Sequence, residues 1–179
     1  MTAPTASTRA EELREQFDRS FAEPARRHHV EHVDLLAVRA GGSRYALRLG
    51  QTSGLFPNRP VTPLPGPLGA LLGVAGFGTR IVPVYNLAAL LGHPVPARPR
   101  WLVLAAGDPP LALAFHDLDG HVRVPCASVI TETAGSTARG SLRGMVPLAD
   151  GIRPIVDLPA ARAAVHNLTG HTDSGERQT

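Results

Sequence analysis

The chain has 179 residues, 43% of them hydrophobic and 4% aromatic, enough for one domain or for two small ones sharing a core. Its 18 basic residues are all arginine, against 15 acidic ones, so no phosphate-loop lysine, Schiff-base lysine or Ser–Lys dyad can be built. The formal charge of +3 is scattered along the chain without interleaved aromatics, which argues against nucleic acid as a partner. The single cysteine, Cys126, excludes an intramolecular disulfide framework and suits a reducing compartment, so a cytoplasmic protein is expected. No apolar leader opens the chain, and the stretch "LGALLGVAGFG" falls well short of the ~20 residues that span a bilayer. Direct membrane insertion is not expected.

Residues 1–32 read as a tail carrying one short helix. Thr8 and Glu11 form a capping-box pattern, and Leu13, Phe17 and Phe21 recur at four-residue spacing up to Pro24. Such a narrow apolar stripe must dock on the body or on a partner. Arg26-Arg27-His28-His29 then reads as a solvated tether.

From Val33 the hydrophobic period changes to that of strands. "VDLLAVRA" and "RYALRLG" flank Gly41-Gly42-Ser43 as a hairpin. Residues 57–69, with five prolines, read as an extended loop. Strands over 71–77 and 80–85 and a short helix ending at Gly92 follow. The pattern then restarts: "WLVLAAGDPPLALAF" is a second hairpin, "HVRVPCASVI" a further strand, "TETAGSTARGS" a flexible loop. The stretch "LRGMVPLADGIRPIVDLPAARAAVH" repeats the strand, strand, short-helix unit. The body spans 33–166, and 167–179 reads as a flexible tail.

The repeat is in register. A shift of 71 residues, from 73 to 144, lays Gly73 on Gly144, Ile81 on Ile152, Pro83 on Pro154, Leu87 on Leu158 and Ala89 on Ala160. A shift of 66, from 35 to 101, lays "LLAVRAGG" on "WLVLAAGD". Short β-rich units present twice predict two small antiparallel barrels of similar topology. A proline within a strand is tolerated on an edge or at a bulge, so Pro83 and Pro154 should mark one corner in both barrels. Asn86 and Asp157 stand where a side chain caps the helical turn that follows, and Leu87 and Leu158 would anchor that turn. Gly73 and Gly144 should lie where the chain bends or another backbone approaches closely.

No catalytic constellation emerges. "HDLDGH" offers His116, Asp117, Asp119 and His121, but strand alternation scatters them to both faces. "HHVEH" supplies His28, Glu31 and His32 without the spacing of a zinc helix. "GVAGFGTRI" has Ile81 where a dinucleotide turn needs its third glycine. Cys126 reads as a small buried thiol at a strand end. No metal, cofactor or enzymatic activity is expected.

The stretches "VDLLAVRAGGSRYALRL", "VTPLPGPLGALLGVAGFGTRIVPVYNLAALLG" and "SLRGMVPLADGIRPIVDLPAA" together resemble the CheW-like domain of bacterial chemosensory systems. The resemblance covers about Val33 to Val165. It implies two SH3-like barrels sharing a hydrophobic interface. It also implies a non-catalytic adaptor linking a chemoreceptor tip to the like-folded regulatory domain of a CheA-type histidine kinase. The alternatives are a same-fold module that binds a kinase or other partner without a conventional receptor, or an enzyme with a cleft between the barrels. The family's N-L-R-G signature lines up with Gly76-Phe77-Gly78-Thr79, and its V-x-E-V pattern with Thr52-Ser53-Gly54-Leu55. The signature arginine and glutamate are therefore absent. The resemblance places Gly54, Leu55, Phe77, Gly78 and Arg80 on the receptor-contacting side.

Overall fold

The computed structural model describes residues 30–65, 69–95, 98–131 and 141–170. The N-terminal helix and its tether, most of the loop over 131–141 and the tail beyond 170 lie outside the described residues.

Ten strands form two five-stranded sheets. They are β1 (His32–Ala40), β2 (Ser43–Arg48), β3 (Thr52–Pro57), β4 (Leu71–Phe77), β5 (Arg80–Asn86), β6 (Trp101–Ala105), β7 (Leu111–Phe115), β8 (Asp117–Pro125), β9 (Leu142–Leu148) and β10 (Gly151–Val156). Among the described residues two α-helices, α1 (Leu87–Leu90) and α2 (Leu158–Gly170), each follow a strand pair. The first sheet has the order β8-β1-β2-β10-β9 and the second β3-β6-β7-β5-β4. Each closes on itself through an isolated bridge between the chain beyond one edge strand and the other edge, Ile130 with Met145 and Thr62 with Val74. Two SH3-like barrels result. Their strands are antiparallel except for one parallel pair in each, β2 with β10 and β5 with β7.

The repeat governs register residue by residue. Val84 pairs with Ala112 in one parallel pair, and Ile155 with Ala46 in the other. Pro83 opposes Val74, and Pro154 opposes Met145. β5 and β10 are interior strands, so the edge alternative for the prolines does not hold. Instead a register shift directly follows Pro154, another lies on the strand facing Pro83, between Leu71 and Gly73, and in both strands pairing to the second neighbour begins only at the residue after the proline. The missing N–H therefore falls where one side of the strand is still open. Gly73 and Gly144 have φ of +141° and +105°. A Cβ at Gly73 would run into the Thr62 carbonyl oxygen, and one at Gly144 would lie 2.6 Å from that of Ile130. Those crossing backbones are the same ones that close the barrels.

The units that repeat in sequence are not the units that pack as barrels. Hairpin β1–β2 pairs with β8 and β10 from the second repeat, while hairpin β6–β7 pairs with β3 and β5 from the first. Both hairpins are covered on two faces. Ala46, Ala112 and Ala114 face the small barrel interiors, whereas Tyr45, Leu47, Leu111, Leu113 and Phe115 enter a core shared between the barrels. This explains why "WLVLA" and "LALAF" read as continuous apolar runs without alternation. Leu87 and Leu158 are fully buried in that shared core. Asn86 accepts a hydrogen bond from the Ala89 amide at 3.2 Å, and Asp157 from the Ala160 amide at 2.8 Å, as the caps require.

Three local differences from expectation stand out. β3 is a strand although "TSGLFP" carries no apolar alternation, because it is recruited by the edge of β6. α2 runs to Gly170 rather than ending by Asn167. Cys126 is exposed, not buried, because the strand ends at Pro125 and a 3-10 turn over Cys126–Ser128 carries the side chain outward.

Candidate functional site

The hairpins β4–β5 and β9–β10 each present an isoleucine just inside the turn. Ile81 and Ile152 are 75% and 64% exposed, the highest values among the described large apolar side chains. Strand alternation puts them there: Val82 and Arg153, the next residues, point into the barrels and are buried. The two isoleucines hold equivalent positions, so each barrel exposes one isoleucine at the same place.

Beside Ile81 the end of the second barrel is plugged by aromatic rings. Phe56 of β3 and Phe77 of β4 meet edge-on with centroids 4.9 Å apart. Both pack against the barrel interior. The Arg59 guanidinium lies over both, 5.1 Å from the Phe56 centroid and 4.8 Å from that of Phe77, held by cation–π attraction. Sequence reading missed Phe56 and Arg59; the signal was the lone arginine in "FPNRP", two residues beyond a strand end.

Of the residues expected on the receptor side, Phe77 belongs to this plug, and Gly78 forms the adjoining turn with Arg80 exposed beyond it. Gly54 lies under Phe56, with its Cβ direction 2.7 Å from that ring. Gly54 thus lies against the aromatic plug from β3, whereas Gly78 sits in the open turn that follows Phe77. Leu55 points the other way and packs against the core between the barrels. The remaining markers, Gly73, Pro83, Leu87 and their partners Gly144, Pro154, Leu158, serve the scaffold.

The equivalent end of the first barrel is charged inside. Arg153 is 2% exposed. Its Nη1 donates to the carbonyls of Val38 and Tyr45 at 3.3 and 3.4 Å, and its Nη2 donates to Asp119 at 2.7 Å and to Asp150. Arg39 adds a second donor to Asp119 at 2.9 Å. Partial burial pushes Asp119 up, but the bonds and charges of Arg153 and Arg39 outweigh it and hold the carboxyl below its usual range. At Asp150 the Arg153 hydrogen bond is the chief influence, and this carboxyl too is lowered. On β5, burial in the core shared between the barrels raises the Tyr85 hydroxyl above its usual value.

The candidate metal residues are dispersed in use. His121 bonds Asp34 at 2.9 Å, His116 bonds Asp117 at 2.9 Å, and Asp119 serves the two arginines. Among the described residues no group of three or more His, Cys, Asp or Glu could hold a metal ion. No helix among them is long and apolar enough to cross a membrane.

Comparison with known proteins gives a consistent picture. The family profile of the CheW-like domain matches residues 34–164. A solved structure, the scaffolding protein TtCheW from Thermoanaerobacter tengcongensis, superposes with a TM-score of 0.63 at 13% identity, covering 71% of this chain and 90% of that one. The curated proteins contain no match.

Proposed function

The chain belongs to the CheW-like domain family, and from that premise we propose that it is a non-catalytic adaptor coupling chemoreceptors to a CheA-type histidine kinase in the cytoplasm. The observation that carries the kinase half is the pair Ile81 and Ile152, exposed at matching positions on two like barrels. A like-folded regulatory domain is the natural partner for such ends, because it can meet either of them in the same way. Each contact is modest, and assembly into arrays raises the affinity.

The receptor half is weaker by construction. Glycine at positions 54 and 78 removes the signature charges, and Phe77 and Arg80 carry what contact remains, Leu55 being turned toward the shared core. A charge-assisted hydrogen bond contributes about 1.5–3 kcal/mol, so a receptor tip should bind roughly ten- to a hundredfold more weakly than to a member with both charges. The two glycines also favour a second reading, a module that serves a kinase without a conventional receptor.

Calorimetry with the kinase's regulatory domain tests the proposal. Ile81→Asp and Ile152→Asp should each weaken binding about ten- to a hundredfold, the loss expected when one buried isoleucine is removed from an interface. Absence of binding by the unaltered chain at micromolar concentration, or indifference to both changes, overturns it. Restoring Gly54→Glu and Gly78→Arg together tests the receptor half. The Phe56 ring must move for the first, and the +58° φ at Gly78 strains the second, so binding is to be read on the folded fraction.

A further inference from the structure

An open groove of about 650 Å³ lies between the chain leaving β3 and the chain entering β6. Arg59, Arg98 and Arg100 line it with Asn58, and Val61 and Leu72 supply apolar walls. No acidic residue is among its described lining residues. Among the described residues none of the three guanidiniums has an ion-pair partner. Arg98 and Arg100 are exposed.

The groove is shaped before anything enters it. The Asn58 amide donates to the Arg100 carbonyl at 2.6 Å, tying the two rims together. Thr62 and Val74 exchange backbone hydrogen bonds at 2.8 and 2.9 Å beneath the wall. Arg59 is fixed over Phe56 and Phe77. Rigid rims and a stacked guanidinium lower the ordering cost of binding. Three uncompensated positive charges around apolar walls call for carboxylates interleaved with apolar side chains. A nucleic-acid strand would need free ring faces, whereas Phe56 and Phe77 are engaged with each other, with Arg59 and with the barrel interior.

We infer that this groove docks an acidic, partly apolar segment of a partner protein, with Arg59, Arg98 and Arg100 receiving its carboxylates and Val61 and Leu72 its apolar side chains. The inference goes beyond the kinase reading and uses neither Ile81 nor Ile152. The segment binds in a salt-sensitive way, because the charges stand in or near solvent.

Fluorescence anisotropy of the full chain with a labelled synthetic peptide of alternating Glu and Leu tests it, with an Arg/Leu peptide as counterpart. The unaltered chain should bind the acidic peptide and not the basic one. Arg98→Glu with Arg100→Glu should weaken acidic-peptide binding at least about tenfold and admit the basic peptide, while kinase-domain binding stays as it was. Arg98→Gln with Arg100→Gln gives the same loss without charge reversal if the first variant folds poorly. Equal binding of both peptides, no binding of the acidic one, or an unchanged affinity in the variants overturns the inference and leaves the kinase reading standing. So does displacement of the peptide by single-stranded oligothymidine at lower concentration, which makes the groove a nucleic-acid site.

Discussion

The first and second barrels share strand order, register, glycine crossings and proline corners, yet at one equivalent position the first buries Arg153 and the second Val82. The arginine is matched on every side: two backbone carbonyls and two carboxylates receive its donors. One carboxylate comes from the turn of its own hairpin and the other from β8, so a single side chain ties β10 to β8, β1 and β2. In the second barrel Thr79 stands where Asp150 would be, and the interior is closed by Phe56 and Phe77. The same architecture therefore accepts either a satisfied ion cluster or an apolar plug. What it does not accept is half of either, because an unmatched buried charge is far costlier than a matched one.

Exchanging the two residues should break that comparison most sharply. Val82→Arg places a guanidinium in a barrel with no carboxylate to meet it, and a loss above about 4 kcal/mol is expected, enough to leave little folded protein in a denaturant titration. Arg153→Val should cost less, toward the lower end of about 3–5 kcal/mol, since Asp119 and Asp150 keep access to water. Equal losses would show that the ion cluster is no more specific than an apolar filling.

The glycine crossings sharpen the likeness between the barrels. Gly73→Ala should cost about 2–4 kcal/mol from positive φ and collision with a carbonyl, and Gly144→Ala somewhat less, as its clearance is greater. Thermal melts that rank the two the other way would mean that the Thr62 crossing yields more easily than the Ile130 one.

The smallest effect is acid sensitivity confined to the first barrel. Asp119 and Asp150 have lowered folded values, so their contribution is fully present above the unfolded carboxylate range, near about 3.9. It is lost as pH falls through the folded values. Amide exchange should show β8 and the β9–β10 hairpin loosening before β4–β5 on acidification, and Arg153→Val should remove that difference.

Much of the architecture was legible in the sequence because its signals are backbone constraints. Gly73 and Gly144, Pro83 and Pro154, Asn86 and Asp157 each mark a place where only certain residues fit, and their spacing carried the repeat into register. The exchange of hairpins between barrels was not legible, since a hairpin has the same apolar pattern whichever sheet it joins. β3 was missed because its neighbours, not its own residues, make it a strand. The burial of Arg153 was hidden because arginine is ordinarily a surface residue and Asp119 is distant in sequence. At the candidate site Phe77, Gly78 and Arg80 were named, but Phe56 and Arg59 meet Phe77 only through barrel closure.

The crossed hairpins also constrain how the molecule comes into being. The β1–β2 hairpin must wait for β8 and β10, so the first barrel cannot close until β10 has left the ribosome. The second barrel, built from β3 to β7, is complete earlier, but one face of its β6–β7 hairpin stays bare until the first arrives. Pairings of long sequence separation make for slow folding. A cut between β5 and β6 would yield two fragments, neither able to make a barrel alone, that could regain the fold only by finding each other.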